Sequence, residues 1–196
     1  QVTVLSDGTR SPLAQSYMQW QNIQSKYPQV YALGVKEIWK VKKAPDYITH
    51  TLGWPLPKDA FGGSFMYPMA DDQVAIGLVV GLDYKNAKLD THLLLQHMKQ
   101  HPFFKQYLEG GQCIEWGAKT IPEGGFHALP SSFTGDGLVM TGDAVGLVNV
   151  PALKGIHYAM LSGIHAARSI FQSLKNQDTS KASLSSYDQA LKESVI

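Results

Sequence analysis

The sequence predicts a mixed α+β, α/β fold in which an antiparallel block interrupts an α/β domain. Three observations predict it. The chain opens on a β-branched run, Val2-Thr3-Val4-Leu5, that leads through Ser6-Asp7-Gly8 into a helical pattern. From about residue 30 to 85 the pattern turns to short alternating strands separated by glycine, proline and aspartate. Near the other end a buried-looking strand, Leu138-Val139-Met140-Thr141, runs through Gly142-Asp143 into a long helix. The outer pieces, residues 1–28 and 127–196, are expected to share one α/β domain. Residues 29–126 form the inserted domain.

The elements follow in order. Ser11-Pro12 reads as an N-cap with proline at the first helical position, and the helix would carry Leu13, Tyr17 and Trp20 on one side. Val30 to Val41 has strand chemistry, with Val35, Glu37, Trp39 and Val41 on one face. His50 to Trp54 is a short strand stopped by Pro55 and Pro57; Gly62 to Tyr67 and Gln73 to Tyr84 are two more, joined by a hairpin turn at Asp71-Asp72. Asp90 caps a helix holding Leu93, Leu94, His97 and Met98, and Pro102 restarts a short amphipathic piece that Gly110-Gly111 ends. A strand over 114–119 follows. After Leu138–Thr141 come a long helix from about Leu153 to Leu174 and a last one from about Leu184.

Composition narrows the function. A net charge of +1 supplies no field that would recruit nucleic acid, so no nucleic-acid partner is expected. The one cysteine, Cys113, excludes an internal disulfide and any Cys-x-x-Cys metal or cluster site. It is expected to be a small buried hydrophobe, in keeping with a reducing compartment. The longest apolar stretch, Val74 to Leu82, is far short of the ~20 residues of a membrane-spanning helix. His97 and His101 stand at helical spacing without a third ligand, so no metal site is expected, and no acid–base or nucleophilic pair suggests a catalytic residue.

Two turns carry chemistry. In Gly137 to Gly146 a strand delivers Gly142-Asp143 at its carboxyl end, where open α/β sheets bind ligands. Asp143 can accept hydrogen bonds from a sugar-alcohol hydroxyl, and the following helix points its positive end at an electron-rich ring edge. The bland alternative is a turn and a helix cap. Asp7-Gly8, alone an ordinary turn, gains weight as its partner. In the inserted block, Phe61-Gly62-Gly63 could present backbone groups to a flat carbonyl-bearing ligand, or could use glycine for hairpin or bulge geometry.

The stretches Tyr31 to Trp39, His50 to Leu56, Gly62 to Tyr67, Val79 to Tyr84, Gly124-Gly125-Phe126, Asn149-Val150-Pro151 and Lys154 to His157 together resemble the electron-transferring-flavoprotein:ubiquinone oxidoreductases. The resemblance implies part of a glutathione-reductase-like FAD domain, made by 1–28 and 127–196, with a ubiquinone-binding domain inserted at 29–126. It implies that Asp7, Gly8, Gly142, Asp143, Ala144, Gly146, Asn149 and Gly155 lie at FAD, and that Phe61, Gly62 and Gly63 lie at the quinone. It implies electron transfer from reduced electron-transferring flavoprotein through FAD and a 4Fe-4S cluster to ubiquinone. The setting would be the surface of a bacterial cytoplasmic or mitochondrial inner membrane, contacted without being spanned.

Two positions depart from the family's common pattern: Phe61 stands where tyrosine is frequent and Ile156 where threonine is frequent. The Gly-x-Gly-x-x-Gly pyrophosphate loop and the cluster cysteines do not occur in these residues, so the chain is expected to be an internal portion, inactive by itself. The alternatives are an FAD-dependent prenyl reductase or aromatic hydroxylase of the same superfamily, or a non-catalytic quinone- or lipid-binding module.

Overall fold

The computed structural model describes all residues 1–196. The strands are β1 (Thr3–Leu5), β2 (Tyr31–Lys40), β3 (Thr49–Leu52), β4 (Gly62–Met69), β5 (Gln73–Gly81), β6 (Gln112–Pro122), β7 (Thr134–Gly135) and β8 (Leu138–Met140). The helices are α1 (Pro12–Trp20), α2 (Thr91–Lys99), α3 (Pro102–Leu108), α4 (Ile156–Lys175), α5 (Lys181–Leu184) and α6 (Ser186–Lys192). The chain divides into two compact units, 1–30 with 122–196, and 31–121.

The first unit is built on the three-stranded sheet β1-β8-β7, in which β1 runs parallel to β8 with Leu5 opposite Met140. Its core joins Leu5, Ala14, Val139, Met140, Leu147, Ala166, Leu184 and Tyr187. The Tyr187 hydroxyl donates to the Met140 carbonyl at 3.1 Å, which satisfies a polar tip inside that core. Ser11 caps α1 by accepting the Ala14 amide, but the helix buries Ala14, whereas Leu13 and Trp20 are 60% and 77% exposed. Only a small residue fits where α1 meets the core.

α4 begins at Ile156, three residues later than the apolar pattern suggests. Asn149 and Lys154 exchange backbone hydrogen bonds of 2.8 and 3.1 Å, closing 149–154 into a turn that cannot continue as helix. The last helix is split at Ser185 into α5 and α6.

In the second unit an antiparallel sheet has the order β3-β4-β5-β2-β6. Asp71 and Asp72 both adopt left-handed backbone at φ 59° and 54°, forming the expected hairpin turn. β5 stops at Gly81, short of Tyr84. The face of β2 carrying Val35 and Glu37, continued by Val41 just past its end, is buried against α2 and α3, with Met66, Ile76, Leu78, Leu95, Met98 and Phe104. Asp90 caps α2 through the His92 and Leu93 amides at 2.8 and 3.0 Å. That helix buries Thr91, Leu95 and Met98, while Leu93 faces water. Cys113 is exposed, contrary to expectation, because it lies on β6, an edge strand whose residues 112–116 are all exposed.

The unit borders fall at 30/31 and 121/122 rather than 28/29 and 126/127. The reason is local. Glu123 donates its amide to the Val30 carbonyl at 2.7 Å, Tyr27 donates to His127 at 3.0 Å, and the Gly124 amide donates to the Gln29 side chain at 2.6 Å. These bonds tie both connecting segments to the first unit.

Candidate functional site

In the first unit the parallel register places the carboxyl ends of β1 and β8 side by side. The Thr141 amide donates to the Leu5 carbonyl at 3.0 Å, so the Ser6–Thr9 and Thr141–Gly146 turns open at one sheet edge. The Thr9 hydroxyl, on a residue 4% exposed, donates to Asp143 Oδ2 at 3.5 Å, the outer limit of a hydrogen bond. Asp143 is half-buried, and a Cβ on Gly155 would come 3.7 Å from its Oδ1 and 3.3 Å from Val148. The tight neighbour of residue 155 is thus Val148, and the carboxylate stands at ordinary contact distance.

Gly142 has left-handed backbone at φ 61°, and a Cβ there would meet the Ala159 Cβ at 3.3 Å. Its amide donates to Ser162 Oγ at 3.1 Å. Close packing against α4 thus accounts for glycine at this position. Ala144 and Gly146 are buried in the same turn, and a Cβ on Gly146 would fall 2.4 Å from Gln29 Nε2. Asn149 accepts the Ala152 amide at 3.1 Å and donates from Nδ2 to the Tyr158 hydroxyl at 3.1 Å. The Asp7 carboxylate accepts from the Ser11 hydroxyl and, at 3.3 Å, from the Leu13 amide. Burial alone would raise the Asp7 carboxyl, but these hydrogen bonds outweigh it and hold it below 3.8.

The strand ends bring Thr9, Asp143 and Gly155 together, while the Asp7 carboxylate is held at the start of α1 and Asn149 locks the 149–154 turn. The N-terminus of α4 has no side-chain cap and no acidic residue in its first turn, and the Asp143 carboxylate lies beside its N-cap residue, Gly155. Thr9, Gln29, Tyr158 and Ser162 escape the sequence reading. One signal was present: Ala159, Ser162, Ala166, Ser169 and Ser173 recur at helical spacing, the mark of a close-packed face.

In the second unit Gly62 and Gly63 open β4 between β3 and β5, with Gly63 opposite both Leu52 and Val79. A Cβ on Gly62 would lie 2.1 Å from the Val79 carbonyl oxygen, and one on Gly63 would lie 2.0 Å from that of Thr51. Backbone crowding by itself demands glycine at both. Phe61, 65% exposed, stands outside the sheet, and Leu52 and Trp54 beside it are 83% and 45% exposed. The Trp54 ring packs against His97 and His101, with centroids 5.3 and 5.0 Å apart. No group of three or more potential metal ligands occurs, and no helix is long and apolar enough to cross a membrane.

Residues 31–121 match the family model "ETF-QO, ubiquinone-binding". A probable mitochondrial electron transfer flavoprotein-ubiquinone oxidoreductase of Schizosaccharomyces pombe is 42% identical, covering 100% of this chain and 32% of its own length. The human mitochondrial electron transfer flavoprotein-ubiquinone oxidoreductase is 39% identical over 100% of this chain and 33% of its own. Among solved structures, a geranylgeranyl bacteriochlorophyll reductase-like protein of Thermoplasma acidophilum superimposes with a TM-score of 0.77 at 22% identity, over 98% of this chain and 46% of that one. The flavin-dependent brominase Bmp2 does so at 0.66 and 20%, over 96% and 46%. These likenesses show the fold alone, that of flavin-dependent reductases and halogenases. The chain spans about a third of the length of the curated relatives it matches. By whole-chain similarity and by its ubiquinone-binding segment, it belongs to the electron transfer flavoprotein-ubiquinone oxidoreductase family.

Proposed function

We propose that this chain supplies the closing half of an FAD site and a ubiquinone-binding unit to a flavoprotein that passes electrons from reduced electron transfer flavoprotein to ubiquinone. The observation that carries the reading is the match of 31–121 to the ubiquinone-binding model, joined to a parallel β1–β8 pair ending in Asp143. The residues fit a flavin. A half-buried carboxylate at a strand end can accept from the hydroxyls of a sugar-alcohol chain. The uncapped amides of α4 suit a ring edge on which negative charge develops.

When bound, FAD would supply the redox chemistry, accepting and releasing electrons singly or in pairs. The chain's own residues bind and orient. Thr9 steadies Asp143, Ser162 fixes the Gly142 turn against α4, and Asn149 with Tyr158 sets the 149–154 loop. No proton-transfer residue is needed at the flavin. Around Phe61, Gly62 and Gly63 a quinone head would find an exposed aromatic ring and strand-end backbone. Leu52, Trp54 and Phe61 form an exposed apolar group suited to a peripheral membrane surface, from which a lipid-soluble quinone would arrive. A 4Fe-4S cluster would be held by cysteines other than Cys113.

The test is to load the natural polypeptide containing this chain with FAD and cluster. Its oxidation of reduced electron transfer flavoprotein by a short-tail ubiquinone is then followed. Turnover that Asp143→Ala abolishes together with flavin retention is expected; no turnover with both groups loaded overturns the reading.

A further inference from the structure

The chain leaves the first unit after Val30 and re-enters it at Pro122, and the segments on either side of that excursion pair with each other. Ser131 donates its amide to the Gln24 carbonyl at 2.9 Å, Tyr27 to His127 at 3.0 Å and Glu123 to Val30 at 2.7 Å, and Ser25 pairs antiparallel with Pro130. Within 24–30 every residue is exposed except Gln29, which is half-buried.

The Gln29 carboxamide stands between two glycines. Its Oε1 accepts the Gly124 amide at 2.6 Å, which fixes the orientation of the group. On the other side Nε2 occupies the place that a Cβ on Gly146 would take, with Leu129 Cδ2 3.9 Å from the same point. Gly124 has no left-handed backbone to call for glycine, but a Cβ there would come 2.5 Å from Gln29 Oε1 and would collide with the Ala128 Cβ. Gly146 is left-handed at φ 79°. Asparagine can adopt that backbone, yet the carboxamide leaves no room for any side chain. The spacing between the two segments is therefore set by the thickness of one polar group.

Gly146 closes the turn that carries Asp143. Its amide donates to the Asp143 carbonyl at 3.1 Å, so a shift of Gly146 is passed directly to Asp143. The turn is held at both ends: Ser162 Oγ accepts the Gly142 amide at 3.1 Å at its start, and Gln29 sits against its close. A wedge anchored by a hydrogen bond keeps one position, where an unanchored side chain could exchange rotamers.

We propose that Gln29 is a positioning residue of the flavin site: its carboxamide, anchored on the Gly124 amide, sets where Gly146 stands and thereby aims the Asp143 carboxylate at the sugar-alcohol chain of FAD. The inference rests on the reading of Asp143 as the residue that holds that chain. In this role Gln29 acts through the turn and not by touching the flavin.

The test uses the natural polypeptide containing this chain, freed of flavin and titrated with FAD, as wild type, Gln29→Ala, Gln29→Met, Gln29→Glu and Asp143→Ala. Far-ultraviolet circular dichroism of the flavin-free proteins establishes which are folded. Gln29→Ala is expected to weaken FAD binding by about tenfold and to alter the visible circular dichroism of the bound flavin. Gln29→Met keeps the bulk and loses the acceptor; it should show the same spectral change with a smaller loss of affinity, and it carries the comparison if Gln29→Ala is unfolded. Gln29→Glu keeps both the reach and the acceptor for Gly124 and should restore affinity and spectrum. Folded Gln29 variants that bind FAD as the wild type does, with its spectrum, beside an Asp143→Ala that has lost FAD, overturn this proposal and leave the flavin site standing. A Gln29→Glu as impaired as Gln29→Ala overturns it too. An Asp143→Ala that binds FAD like the wild type overturns the flavin reading itself, and this proposal with it.

Discussion

Lys99→Met in the second unit exposes what its buried ion pair contributes. Glu37 is 5% exposed and its carboxylate accepts from Lys99 at 2.6 Å, from the Trp39 indole at 2.7 Å and from Gln96 at 2.9 Å. The ammonium also lies 4.8 Å from the Trp39 ring centroid. Removing one member of a buried pair costs about 3–5 kcal/mol, because the remaining charge is left without a counterion. Two neutral donors stay in place here, so the low end applies: about 3 kcal/mol, or a roughly 150-fold shift toward the unfolded state. Glu37→Gln with Lys99→Met removes both charges and should recover most of the loss.

The pH dependence has a definite sign. Burial by itself would raise the Glu37 carboxyl, but hydrogen bonds from Lys99, Gln96 and Trp39, with the Lys99 charge, hold it below 4.5. A carboxyl lowered by folding contributes stability above its unfolded value and loses it as pH falls through the folded value. Urea unfolding of the wild type should therefore show weakening below about pH 4.5, and the deficit of Lys99→Met should shrink in acid, where a protonated Glu37 needs no partner. A deficit at pH 7 under ~1 kcal/mol, or one that does not change with pH, would refute the reasoning.

Two further substitutions test the packing around the candidate sites. Tyr187→Phe deletes the donor to the Met140 carbonyl inside the first unit's core and should cost about 1–3 kcal/mol by chemical denaturation, with the helix content unchanged. Gly63→Ala forces a methyl group against the Thr51 carbonyl and should destabilise the chain by at least ~2 kcal/mol even without any quinone, which hydrogen exchange across β3 and β4 would register.

The fold was legible where one face of an element had to be buried. Alternation along β2 put Val35, Glu37 and Val41 on the covered face, and Asp71-Asp72 and Asp90 announced a turn and a cap. Helix faces were less legible, because α1 and α4 bury small residues and turn large ones outward. Ala14, Ser162, Ala166 and Ser169 are inside, while Trp20, Ile156, Met160 and Phe171 are 65–81% exposed. Periodicity shows that a helix has two sides, but the space available at a close-packed contact decides which is buried. At the flavin candidate, the pairing of Asp7-Gly8 with Gly142-Asp143 followed from two strands ending in Gly-containing turns. The contribution of Thr9 depends on the parallel register, which no local pattern encodes. Gly62-Gly63 allowed a ligand or a structural reading, and the 2.0–2.1 Å approaches give it a structural reason that holds with or without a quinone.

The central claim is that residues 31–121 bind ubiquinone beside Phe61, Gly62 and Gly63. Hydrogen exchange of this chain with and without a short-tail ubiquinone analogue tests it most directly. Protection that saturates with ligand and maps to residues 51–63 and their neighbours 79–82 is the predicted result. No protection at saturating analogue, or protection confined to 1–30 and 122–196, would contradict it.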